Sequence, residues 1–311
     1  MAFGGTSEYG CEMSAIYRAV IGPLVDQFQR VMRGDGRRQS ATAGLGLALG
    51  GGFARGFAHI GVLQVLEDEK IPIYCIAGTS VGSILGAAYA SGLSVDRIAA
   101  VCRNIRFKDF ARWKISKMGL ASNERMSELI GSCLRAERFE DLKIPMAVVT
   151  TDLSTGEPVV FTRGPLVDPI RASCAFPGLF EPVHIGDRCL CDGGLTAPVP
   201  AKACAALGAR HVLAVSVSFN DWRPGGKPTN LFQVFSRALS VAQKHRNPSW
   251  TRFADILLEP AVQEIDWDEF ERAEEAIEAG AVATRRALPR LRAMLHLPET
   301  DSERVAAQAV A

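Results

Sequence analysis

A chain of 311 residues that is 48% hydrophobic and 22% charged can bury about three-quarters of its unfolded surface, which excludes disordered and collagen-like classes. Its net charge of +1 argues against nucleic acid as a partner, and no stretch reaches the ~18 apolar residues of a membrane helix. The amino terminus has no basic start followed by an apolar run, so neither a transmembrane span nor a signal peptide is expected. The expected location is cytoplasmic, with peripheral attachment to a membrane open.

Residues 12–33 place Met13, Ile16, Tyr17, Val20, Ile21 and Leu24 at steps of three and four, which predicts an amphipathic helix kinked at Pro23. Its polar face carries only Arg18 and Arg30, so packing on its own domain or on a second subunit, giving a homo-oligomer, is expected ahead of membrane docking. The polar, glycine-bearing stretch 34–44 reads as a linker. Three parts follow: 1–42 as helix and linker, 43–295 as the main domain, and 296–311 as a poorly anchored tail.

In the main domain, short apolar runs alternate with helical patterns. Strands are predicted at 45–49, 73–78, 146–151, 158–162, 211–218 and 255–259. Helices are predicted from about Arg55 to Glu69, up to about Ser91, after an Asn123 cap, and as a pair between Asp268 and Leu295. This alternation predicts parallel strands joined by crossover helices, an α/β layered fold.

Three motifs carry chemistry. GTSVG, Gly78 to Gly82, lies between a predicted strand and a predicted helix, the context of a nucleophile elbow. There Ser80 is exposed on a strained turn, while Gly78 and Gly82 avoid collision with neighbouring backbone. GGGFARG, Gly50 to Gly56, offers successive backbone N–H groups to an oxyanion or a phosphate, but its spacing fits neither GxxxxGK[ST] nor GxGxxG. Only 28 residues separate Gly52 from Ser80, so both turns open on one edge of a parallel sheet. CDGGLTAPVP, Cys191 to Pro200, ends a short strand on Asp192, a candidate base, with Gly193 and Gly194 permitting a tight turn. The same DG pair is also an ordinary turn signal.

In this order and context the three motifs resemble the patatin-like phospholipase family, in the bacterial branch related to the catalytic region of neuropathy target esterase. TDLSTGEPVVF (Thr151 to Phe161) and IRASCAFPGLFEPV (Ile170 to Val183) look like further blocks of that family, and the resemblance spans roughly 44–290. It implies a patatin-like three-layer α/β/α fold with a central, mostly parallel sheet. It also implies a serine lipid acyl hydrolase with Ser80 as acyl-forming nucleophile and Asp192 as general base. Gly51, Gly52 and Phe53 would supply oxyanion N–H groups, and Arg55 would support the loop. Phospholipids, lysophospholipids or other long-chain acyl esters are the implied substrates, with neither metal nor organic cofactor. Phe53 departs from the pattern, since the family usually has glycine there and a bulky residue disfavours a positive φ.

Competing readings are a Ser80–Asp192 triad completed by His211, His245 or His296, acyl transfer with the same dyad, a non-catalytic lipid-binding regulatory module, and a nucleotide site at the glycine loop. His59, in the helix after the glycine loop, is read as a packing residue. Asp192 should sit in an apolar, hydrogen-bonded pocket, because an ordinary carboxylate is a weak base for a serine hydroxyl. The eight cysteines are scattered and never in CxxC spacing, which suits a reducing compartment. Cys189, Cys191 and His184 lack a fourth ligand at zinc spacing, so no metal site is expected. The segment 103–117 holds six basic residues against Asp109 and interleaves Phe107, Phe110 and Trp113, a pattern suited to transient contact with anionic headgroups. An acidic run, Glu264 to Glu278, offers it an alternative partner within the chain.

Overall fold

The computed structural model describes residues 43–113, 116–217, 227–228, 231–245 and 249–298. The helix predicted over 12–33, its linker and residues 299–311 of the tail lie outside the described residues.

Strand β1 (Ala43–Leu49) leads through a 3-10 turn, Phe53–Phe57, into α1 (Ala58–Asp68). Then come β2 (Ile73–Thr79) and α2 (Val81–Ala90), separated by Ser80 alone. Helix α3 (Val95–Asn104) starts where the Ser94 hydroxyl accepts from the Arg97 N–H, an N-cap. The short α4 (Phe107–Phe110), β3 (Arg112–Trp113), β4 (Ala121–Ser122) and α5 (Glu124–Cys133) follow. Asn123 precedes α5 as expected, but its side chain donates to the Glu181 carbonyl instead of capping the helix.

The second half runs through β5 (Met146–Asp152), β6 (Pro158–Phe161), α6 (Val167–Ser173), β7 (Val183–Ile185), β8 (Arg188–Asp192) and α7 (Ala201–Ala206). It ends with β9 (Ala209–Val215), α8 (Leu231–His245), β10 (Ile256–Leu258) and α9 (Ala273–Leu295). The expected closing pair of helices is one helix with Pro289 inside it.

The sheet order is β10-β9-β1-β2-β5-β8-β7, with β6 also paired to β5. Pairings from β10 to β5 are parallel, whereas the β5–β6, β5–β8 and β8–β7 pairings are antiparallel. The fold is therefore mixed α/β with a mostly parallel centre. Strand alternation sorts residues by size. Leu45, Leu47 and Leu49, Ile76, Met146 and Val148, and Leu213 and Val215 enter one core with α1, α2, α3 and α9. Ala48, Cys75, Ala77, Ala147 and Ala214 face the other side, where small residues let α7 approach closely.

Two features position the site. Gly61 of α1 and Gly280 of α9 bring backbones into direct contact, since a Cβ on either would fall 1.8 Å from Ile277 O or 1.9 Å from Ala58 O. On one flank of β5, β2 pairs as far as Thr79 opposite Val149, and β8 takes over with Asp192 opposite Thr150. Because β8 runs against β2, the two strands meet at their carboxyl ends.

Candidate active site

Ser80 sits at that meeting point with φ 52° and ψ −127°, a conformation that costs a non-glycine residue of order 1–3 kcal/mol unless its surroundings hold it. They do so at several atoms. The Ser80 N–H donates to Ser173 Oγ at 2.8 Å, and Ser173 Oγ donates to the Val149 carbonyl at 2.6 Å. The Ser80 carbonyl accepts from the Ser83 hydroxyl at 2.6 Å and the Ser83 N–H at 2.8 Å. Gly78 and Gly82 are sterically obligatory: a Cβ would lie 2.4 Å from Ser83 Cα or 2.2 Å from Leu49 O. The positive end of α2 faces the serine.

Asp192 is 4% exposed, its carboxylate accepts from the Gly194 N–H at 2.7 Å, and the neighbouring Ser80 hydroxyl favours its charged form. Burial outweighs both influences and lifts its pKa from the ordinary carboxylate range to about 7. Thr151 Oγ1 donates to the Asp192 carbonyl at 3.0 Å, and Gly193 has no room for a Cβ, which would stand 2.2 Å from Val149 O. Among the described side chains no histidine is a hydrogen-bond partner of this carboxylate; His211 pairs with Leu45, at the far end of β1. The buried Cys174 thiol neighbours the Ser80 and Ser83 hydroxyls, and burial and the Asp192 charge hold it well above its ordinary range.

The glycine loop lies against Ser80, since a Cβ on Gly51 would stand 3.1 Å from Ser80 Cβ. The Gly51 N–H donates to the Pro198 carbonyl at 3.2 Å, so the amide expected from it as an oxyanion donor is already engaged. The Gly52 N–H has no acceptor among the described residues. Gly52 also packs tightly, as a Cβ there would lie 2.6 Å from Val217 O. Phe53 takes φ 52°, the left-handed conformation that its side chain disfavours. Its ring makes edge contacts with Phe176 at 5.6 Å and Trp267 at 5.4 Å, which hold it there. Arg55 turns away from the serine, with its buried Nε donating to Ile265 O at 2.5 Å, which anchors the turn.

Sequence reasoning missed two supports. His59 Nε2 lies 2.8 Å from Gly50 O, and burial lowers its pKa to about 4, so the ring is neutral and donates from Nε2. Ser173 was visible only as one residue of the Ile170 to Val183 block. No spacing rule marks either role, because each depends on which backbone atom the fold brings near.

An almost wholly apolar cavity of about 100 Å³ opens beside Ser80 and is lined by Val81, Ile84, Leu85 and Ala88 of α2, Phe53 and Phe180. Leu93, Ile98, Cys102, Met126, Leu129 and Ile130 complete much of its wall. Phe110 is buried, and Phe107 packs edge-on against it at 5.3 Å and against Trp267 at 5.9 Å. These two aromatics of the basic segment thus turn inward, contrary to the lipid-facing expectation. Arg103 pairs with Glu274, one tie between the basic and acidic segments. No helix among the described residues is long and apolar enough to cross a membrane.

Comparison with known proteins matches residues 47–205 to the family described as patatin-like phospholipase. An uncharacterised NTE family protein of Mycobacterium tuberculosis is 36% identical over 190 residues, covering 60% of this chain and 52% of that protein. A second NTE family protein of that organism is 31% identical over 276 residues, covering 81% of this chain and 47% of that protein. A lysophospholipase of Mycosarcoma maydis is 32% identical over 196 residues, 60% of this chain and 10% of that protein. The chain spans about half the length of the first two of these curated relatives. Among solved structures, VipD from Legionella pneumophila overlays with a TM-score of 0.45 at 12% identity, covering 80% of this chain and 67% of that one.

Proposed function

The chain belongs to the patatin-like phospholipase family, and from that premise we propose that it is a serine lipid acyl hydrolase whose machinery lies within 43–295. Its substrates are phospholipids, lysophospholipids or other long-chain acyl esters. The observation that carries this reading is a buried carboxylate of raised pKa next to a serine on a strained elbow beside an apolar cavity.

In this reading the acyl chain occupies the cavity and its ester carbonyl meets Ser80. The Ser80 hydroxyl attacks the carbonyl carbon as Asp192 takes its proton, a transfer favoured because the carboxylate's proton affinity lies near neutrality. The developing oxyanion is held by the Gly52 N–H and the positive end of α2. The leaving alcohol receives the proton from Asp192, leaving an acyl-Ser80 ester. Water then gives a proton to Asp192 and attacks the same carbonyl carbon, and as the bond to Ser80 breaks Asp192 returns that proton to Ser80 Oγ and the fatty acid leaves. Neither a metal nor an organic cofactor takes part.

The test is hydrolysis of a p-nitrophenyl acyl-ester series and of lysophospholipid and phospholipid micelles by the wild type, Ser80→Ala and Asp192→Asn. Both variants are expected to lose about 10³-fold or more, because the pair acts as a unit. A wild type inactive on every ester, or a Ser80→Ala variant that keeps its rate, contradicts the proposal.

A further inference from the structure

Large apolar side chains exposed among the described residues are few, and four of the six gather around one segment. Leu120 and Phe235, 39% and 40% exposed, touch it, and Met118 and Val234, 57% and 50% exposed, stand within two residues of them in the chain, Val234 and Phe235 being on α8. The segment is Phe176 to Glu181. Leu120 donates its N–H to Leu179 O at 3.1 Å, and Gly178 faces the Phe235 ring, which would lie 4.0 Å from a Cβ there. The same segment sends Phe180 into the cavity wall, and Phe176 stands between the rings of Phe53 and Phe235. The exposed apolar patch is therefore continuous with the wall of the pocket that holds Ser80.

Cations stand near Met118 and Leu120 along the chain, Lys117 immediately before Met118 and Arg112 opposite Ser122 across β3–β4. Lys108, Arg112 and Lys117 are exposed and form no ion pair among the described residues. Apolar side chains flanked by cations suit the boundary between acyl chains and anionic headgroups. We propose that Met118, Leu120, Val234 and Phe235 seat the protein on an anionic phospholipid bilayer, with Lys108, Arg112 and Lys117 against the headgroups. This placement rests on the lipid-hydrolase reading for its purpose and on the exposed patch for its location. It replaces the inward-turned Phe107 and Phe110 as the lipid-contacting residues of this region.

The experiment separates docking from catalysis by using Ser80→Ala as the parent. Cosedimentation is measured with vesicles of phosphatidylcholine alone and of phosphatidylcholine mixed with phosphatidylglycerol. The parent is expected to bind the mixed vesicles preferentially. Adding Met118→Asp and Phe235→Asp together is expected to weaken that binding at least tenfold, and Lys108, Arg112 and Lys117 changed to Gln to remove the preference. Leu257→Asp, at an exposed leucine outside this patch, is expected to bind like the parent with an unchanged melting temperature. In the active background the double variant is expected to keep its rate on a soluble short-chain ester and to lose rate on vesicle phospholipid. Absence of parent binding, equal binding by the double variant, or an equal loss in Leu257→Asp overturns the proposal. Patch-dependent vesicle binding by a protein inactive on every ester upholds the docking surface while overturning the hydrolase reading.

Discussion

His59 Nε2 stands 2.8 Å from the carbonyl oxygen of Gly50, while the other side of that peptide, the Gly51 N–H, donates to Pro198. One peptide plane is thus fixed at both ends, and it sets the direction of the next amide, that of Gly52. His59→Ala removes one of these ties and opens a cavity. We expect kcat to fall by roughly tenfold to a hundredfold with a smaller change in KM, because the loss falls on oxyanion stabilisation. Steady-state kinetics on a soluble ester check this.

The same histidine makes folding sensitive to acid. Its folded pKa, about 4, lies below the ordinary 6.5, so the unfolded chain binds the proton more readily. Stability contributed by the neutral ring is present above pH 6.5 and is lost as pH falls toward 4, by about 3 kcal/mol in all. Urea unfolding at pH 7 and pH 4 is expected to show that loss in the wild type and a smaller one in His59→Gln.

Asp192 has the opposite linkage. Its folded pKa of about 7 lies above the unfolded value near 3.8, so the folded state holds a proton that the unfolded chain releases. Stability from the protonated acid is full below pH 4 and declines as pH rises to 7, at most by about 4 kcal/mol. Activity runs the other way, since the base must be ionised: kcat/KM is expected to rise with an apparent pKa near 7. Asp192→Asn is expected to be inactive, to unfold like wild type at pH 4, and to be the more stable protein at pH 8.

The cavity follows α2 from Ser80 to Ala88, about 12 Å by helical rise. Ala88→Leu is expected to lower kcat/KM on long-chain esters by tenfold or more while sparing acetate and butyrate esters. A p-nitrophenyl ester series reads this directly, and a uniform loss across chain lengths would contradict the placement of the acyl chain.

Much of this arrangement was legible where a residue type has one steric reason to be present. Gly78, Gly82 and Gly193 stand where a Cβ would collide with backbone, so the turns carrying Ser80 and Asp192 could be read from their neighbours. The apolar strands were legible from alternation and length. The direction of β8 was not, because a five-residue strand pairs where tertiary packing takes it, and here its antiparallel course delivers Asp192 to the end of β2. Phe53 misled in another way. Its positive φ is sustained by Phe176 and Trp267, residues more than a hundred positions away in sequence. The inward turn of Phe107 and Phe110 was hidden for the same reason, since a basic run with aromatics does not say which way the rings point.

The contact between α1 and α9 behind the glycine loop allows a stability test independent of chemistry. Gly61→Ala would place a Cβ 1.8 Å from Ile277 O, which forces the helices apart. A loss of about 3 kcal/mol or more is expected in equilibrium unfolding, at the upper end of overpacking effects. Gly131→Ala, where a Cβ meets nothing within 4 Å, is expected to be neutral or slightly stabilising.

In the proposed mechanism Ser80 is the acyl-forming nucleophile and Asp192 activates it. The most direct measurement is reaction of the folded protein with a long-chain alkyl fluorophosphonate, followed by peptide mass spectrometry. One adduct on Ser80, formed at least a hundredfold more slowly in Asp192→Asn, is the predicted result. No adduct, an adduct elsewhere, or equal labelling of Asp192→Asn would contradict it.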